Sequence, residues 1–207
     1  MSNRLWILGA ESPKMQAIEQ LLRSCGEKYR YAVGPDGDRV DGANACRAIG
    51  WTDGEDFFDG TWGLAFHMVE CAFYDLTPDE TVFIDHRHSG DPGYGAPPEV
   101  YLRASSVGQV IGLLASEGLI QSLGWPTTQR EGNCYGSTGS VDPLKGVCLH
   151  PGAGCSDHPS EPAIWAAIPH ELLLAAAADY CPEAACQGLC PGVDPDELRG
   201  YLAARAA

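Results

Sequence analysis

Leu5-Trp6-Ile7-Leu8-Gly9, then Ser12-Pro13, then Met15, Ile18, Leu22 and Cys25 ahead of Gly26, then Tyr29 to Val33: these opening residues decide the fold. A continuous apolar run ending at glycine reads as a strand buried on both faces. Ser12 supplies an N-cap and Pro13 a first-turn proline. The apolar residues that follow recur at helical spacing, and Gly26 closes the helix. Tyr29 to Val33 returns to strand. A strand–helix–strand unit is the building block of a parallel sheet.

Further along, residues 34 to 60 are rich in Gly and Asp and give no assignable pattern. Gly63 to Phe73 reads as a central strand carrying His67 and Glu70. Thr81-Val82-Phe83-Ile84 reads as a second buried strand, a parallel neighbour of Leu5–Leu8, delivering Asp85 and His86 to its carboxyl end. In open α/β sheets ligands bind at that edge. Ser105-Ser106 caps a helix with Val107, Val110, Ile111 and Leu114 on its apolar face. His170 to Cys181 is helical, and Asp194-Pro195-Asp196-Glu197 opens a last helix. The expected architecture is α/β: a doubly wound, mostly parallel sheet flanked by helices. It forms a single domain over residues 1–207, with an irregular Cys/His-containing insertion or subdomain at 124–163.

Composition narrows the partners. The formal net charge is −15, from 13 Lys and Arg against 28 Asp and Glu. Such a surface repels long polyanions, which argues against duplex DNA or long RNA. A small anion remains compatible, because backbone N–H groups and an arginine can hold one locally. The apolar run Leu172 to Ala178 is too short to span a bilayer, and the first residues carry no secretory pattern, so a soluble, cytoplasmic protein without a membrane partner is expected. Nine cysteines, an odd number, disfavour a disulfide framework in that setting. Whether the chain forms a homo-oligomer is left open.

Three groups of residues could carry chemistry. Asp85-His86-Arg87-His88 places a carboxylate, two imidazoles and a guanidinium at a strand end, suited to a metal, to acid–base work or to phosphate oxygens. Asp85, His86 and Asp179 are the catalytic candidates. Glu11, Glu70, His170 and Asp179 form a chain-distant set near expected sheet ends. Cys148, His150, Cys155 and His158, with Cys134 upstream, could supply four zinc ligands, against a plainer reading as loop thiols. Cys181, Cys186 and Cys190 are a weaker cluster. No Walker loop, Gly-x-Gly-x-x-Gly or Gly-x-Ser-x-Gly motif is present. Ser105-Ser106 is most simply a cap, although its N–H groups would suit a phosphate.

The order of these pieces resembles the DHH phosphoesterase superfamily, over roughly residues 4–115 and 168–181. Ala10-Glu11-Ser12-Pro13-Lys14-Met15-Gln16-Ala17-Ile18 stands where that family has H-x-x-P-D-x-D-A-I. Glu70 falls near its second Asp, Asp85-His86-Arg87 is the D-H-H triplet, Ser105-Ser106 the helix start, and Ala178-Asp179-Tyr180 the last motif. The resemblance implies a phosphoester cleft. The departures imply that the family's manganese pair is not expected, since Ala10, Lys14, Gln16 and Arg87 replace ligands. Three functions follow. The first is a protein that binds a nucleotide-like phosphate ligand, such as a cyclic or signalling nucleotide held in the manner of a sponge, through His86, Arg87, His88, Ser105, Ser106, Glu11, Glu70 and His170. The second is a phosphodiesterase rewired around one metal, with Glu11, Glu70, Asp85, His86, His88, His170 and Asp179. The third is an interaction module stapled by zinc.

Overall fold

The computed structural model describes residues 4–52, 65–73, 81–116, 119 and 168–206. The chain divides into two compact units, Met1–Pro92 and Gly93–Ala207. Residues 124–163, and with them Cys134, Cys148, His150, Cys155 and His158, lie outside the described residues.

The first unit is a mixed, mostly parallel five-stranded sheet. Its strands are β1 (Arg4–Leu8), β2 (Tyr29–Val33), β3 (Gly50–Trp51), β4 (Ala65–Val69) and β5 (Thr81–Ile84), in the order β3-β2-β1-β4-β5. Only β3 runs antiparallel, against β2. The helix α1 (Pro13–Ser24) connects β1 to β2, as a parallel pair requires a crossover. It begins as the sequence demands: Ser12 accepts the Met15 N–H at 3.2 Å, and Met15, Ile18, Leu21 and Leu22 form the buried stripe.

β1 is buried along its whole length. Leu5 and Ile7 share one face with Phe66 and Met68, in a cluster that also takes in Trp51 and Phe73. Trp51 stacks at a tilt on both Phe66 and Phe73. Trp6 and His67 are paired on the other face, with ring centroids 4.5 Å apart.

The expectation that Leu5–Leu8 and Val82–Ile84 are neighbours is corrected: β4 lies between them. β4 is buried at four of its five residues, whereas β5 is largely half-exposed, with Phe83 39% exposed. The more completely apolar strand lies further in, and β5 is the end strand among the described residues. The short apolar run of Thr81–Ile84 was too brief for its pattern to distinguish the two positions.

The second unit is helical where it is described. It comprises α2 (Tyr101–Ala104), α3 (Ser106–Ser116), α4 (His170–Tyr180), α5 (Pro182–Cys186) and α6 (Pro195–Ala206). Val107, Val110, Ile111 and Leu114 are buried, the face expected for α3. Asp194 caps α6 by accepting from the N–H groups of Asp196 and Glu197 at 2.8 and 3.1 Å. Among the described residues, no helix is long and apolar enough to cross a membrane.

Candidate functional site

The strand order reverses around β1. From β1 the chain passes to β2 on one side, and β4 then pairs with β1 on the other. The carboxyl ends of β1 and β4 therefore flank a topological switch point, where open α/β sheets place their ligands. The residues found there are Gly9 to Lys14 after β1, Glu70 after β4 and Asp85 to His88 after β5.

Glu70 is the pivot. Its backbone has φ 52°, the one positive value outside glycine among the described residues. A bulky residue in that region costs energy and persists only where its surroundings fix it. Here the surroundings do so. Glu70 N–H donates to Ile84 O and Gly9 N–H to Val69 O, both at 2.9 Å, which continues the sheet ladder past the strand ends. Gly9 is needed for this approach, because a Cβ there would stand 2.5 Å from Glu70 O.

The Glu70 carboxylate, 5% exposed, meets Lys14 Nζ at 2.7 Å and lies 3.9 Å from Arg87 Nη1. Arg87 grips Asp85 with two parallel bonds, Nε to Oδ1 at 2.9 Å and Nη2 to Oδ2 at 2.7 Å. Its Nη2 also donates to Glu70 O at 3.1 Å. Asp85 Oδ1 accepts the backbone N–H groups of His86 and Arg87 as well. Burial pushes the Asp85 carboxyl up, but the Arg87 and backbone bonds outweigh it and hold the group below the usual carboxylate range. The same hydrogen bond to Asp85 raises Arg87 further into its charged form. Lys14, Glu70, Arg87 and Asp85 thus form a chain of alternating charge, two cations and two anions. Among the described residues it leaves Nη1 as the arm of the Arg87 fork without a hydrogen bond, on a side chain that is 30% exposed.

The other expected residues fall as follows. Glu11 is exposed and accepts from Gln16 Nε2 at 3.2 Å. His86 is half-buried directly after Asp85. His88 is exposed, and its N–H donates to Asp91 Oδ2 at 2.6 Å. One ligand atom each from Asp85, His88 and Asp91 lie within 4.8 Å of one another, close enough to share a cation. Ser105, Ser106, His170 and Asp179 belong to the second unit. Ser105 and Ser106 are fully buried there, and Ser105 Oγ accepts the Gly108 N–H at 3.1 Å, the capping role. His170 opens α4 and bonds Glu197 through Nε2 at 2.7 Å, on the surface. Asp179 is half-buried near the end of α4.

No protein-family model, curated protein or solved structure matches the chain.

One residue of this edge escaped the sequence reading. Arg39 reaches back from the turn after β2 and donates from Nε to Gly9 O at 2.8 Å, with its guanidinium 4.0 Å above the Tyr31 ring. It sits in the Gly/Asp-rich stretch where periodicity is silent. The available signal was local: Asp36-Gly37-Asp38 marks a tight turn, which brings Arg39 back against Val33.

Proposed function

We propose that the carboxyl edge of the first unit's sheet binds a small phosphate-containing ligand of the nucleotide type and does not hydrolyse it by two-metal chemistry. The observation that carries this reading is the Arg87 guanidinium. Asp85 holds it by two arms, while Nη1 makes no hydrogen bond among the described residues and stands 3.9 Å from the Glu70 carboxylate, beside a switch point. A donor already fixed in place loses little freedom on binding, so more of the contact energy becomes affinity. Lys14 adds positive charge in the first turn of α1, a turn that carries no acid, and the helix dipole has the same sign there.

The same contacts support a site that does not work by two-metal hydrolysis. A pair of divalent ions needs carboxylates turned toward it. Here the Glu70 carboxylate faces an ammonium and Asp85 faces a guanidinium. In this reading the two cations, Lys14 and Arg87, take the place of metal charge at positions where the DHH resemblance has ligands. The same reading takes the sheet as the core of a doubly wound, DHH-like fold and keeps the messenger sponge as its working role.

The test is titration calorimetry against a panel of mono- and cyclic nucleotides, with chromatography of the recovered ligand. Saturable binding, with the ligand recovered intact in the presence of manganese, is the expected result. Arg87→Lys, which keeps the charge and loses the fork, should weaken binding about tenfold. Binding by no member of the panel would overturn the reading. A second reading, a phosphodiesterase rewired around one metal, draws on the proximity of Asp85, His88 and Asp91. Metal-dependent product that disappears in His88→Ala would select it.

A further inference from the structure

Outside the sheet edge, the second unit holds two thiols in contact. Cys181 sits at the junction of α4 and α5, and Cys190 follows α5. Their sulfurs are 3.1 Å apart. The chain between them is folded back tightly: Gln187 and Leu189 both donate to Ala184 O, and Gly188 turns with φ 79°. Cys190 is buried at 2% exposure, whereas Cys181 is half-buried. Cys181 also lines an open groove with Pro182, Glu183, Ala184 and Gln187. Cys181 is therefore the more exposed of the two, on the groove, and Cys190 the more deeply buried.

We propose that Cys181 and Cys190 form a reversible dithiol–disulfide couple that exchanges with small-molecule disulfides of the glutathione type. A disulfide needs its sulfurs at about 2.05 Å, so closure asks for roughly 1 Å of approach. The division of labour follows from burial. Cys181 thiolate attacks one sulfur of glutathione disulfide, forming a mixed disulfide and releasing one glutathione thiolate. Cys190 then attacks the Cys181 sulfur and the second glutathione leaves. Two protein thiols are oxidised, one glutathione disulfide is reduced to two glutathiones, and the two cysteine protons end on the departing thiols. The hydrogen bond from Cys190 lowers the Cys181 thiol from its ordinary range, and sharing that proton raises Cys190, which matches attacker and resolver. Cys186 lies between them in sequence and has no sulfur partner among the described residues.

The full-length chain, reduced and then incubated with glutathione disulfide, is alkylated and mapped by mass spectrometry. The expected product is a peptide pair joined through Cys181 and Cys190, lost again on adding reductant. Cys190→Ser should instead hold glutathione on Cys181, because the resolving sulfur is gone. Cys181→Ser should leave Cys190 unmodified in the folded protein. The proposal falls if Cys181 and Cys190 both remain alkylatable while the exposed Cys46 is glutathionylated, or if Cys181 is joined to Cys186. The wild-type map decides even where a variant does not fold.

Discussion

At the residue scale, two buried polar side chains of the first unit, Glu70 and His67, carry testable consequences. Glu70 is held by two cations, in a backbone conformation that resists a side chain. Glu70→Gln keeps the shape and removes the charge that faces Lys14 and Arg87. Breaking a buried pair from one side costs on the order of 3 kcal/mol, so its urea midpoint should fall well below that of the wild type. An unchanged midpoint would mean that water already screens this pair. His67 is the second group. Its Nδ1 is buried without a hydrogen-bond partner among the described residues, next to the Trp6 ring. Burial, helped by the positive charge of Arg4 and opposed by Glu27, pushes its pKa down from 6.5 to about 4. The folded state therefore refuses a proton that the unfolded chain accepts. The stability that this gives is present above about pH 6.5 and is lost as the pH falls toward 4, a change on the order of 3 kcal/mol. His67→Phe keeps a ring against Trp6 and cannot titrate. Denaturation at pH 7 and pH 4.5 should show a smaller acid loss in that variant than in the wild type. An equal loss would move the effect to other groups, such as Glu27, whose carboxylate is bound by Arg4 and Trp6.

At the element scale, glycine reports where helices touch. Gly108 in α3 faces the backbone of α2, where an added Cβ would lie 1.3 Å from Leu102 O. No flexible side chain can yield there, so Gly108→Ala must push the two helices apart and should cost about 3 kcal/mol or more. A Cβ added at Gly200 in α6 would meet nothing within 4 Å among the described residues. There the same substitution removes only backbone freedom and should stabilise by up to about 1 kcal/mol. Thermal melts of the two variants should move in opposite directions, and a shift of the same sign in both would refute the packing described for α2 and α3. Neither glycine can be sorted this way from sequence, because each interrupts a helical pattern in the same manner. The elements themselves were legible where pattern and punctuation agreed. Ser12-Pro13 and Asp194-Pro195 start their helices as read, and β1, β2 and the α3 face fall where periodicity puts them. β3 was missed because a two-residue strand has no period. Glu70 was read inside a strand, but it lies just past one. Its positive φ depends on the ladder bonds of β1 and β5, which are contacts distant in sequence.

At the scale of the whole molecule, the charge of −15 sets the terms on which any anion arrives. The fixed positive charge at the sheet edge is local: Lys14 and Arg87 are each paired with a carboxylate, so that edge carries no net excess over its acids. A ligand gains only the short-range bonds at Nη1 and its neighbours, while every additional phosphate beyond the first meets the general negative field. A mononucleotide should therefore bind better than an oligonucleotide of the same base at low salt. Added salt should narrow the gap, because the Debye length shrinks from about 10 Å at 0.1 M to about 3 Å at 1 M and the repulsion is the longer-ranged contribution. This order is the reverse of the usual one for nucleic-acid binding, in which longer chains bind more tightly and salt weakens them. Fluorescence anisotropy with labelled mono- and oligonucleotides across that salt range would check it. Tighter binding of the longer chain at low salt, lost as salt rises, would require a cationic surface elsewhere on the protein. It would also remove the electrostatic ground for assigning the ligand to the Arg87 edge.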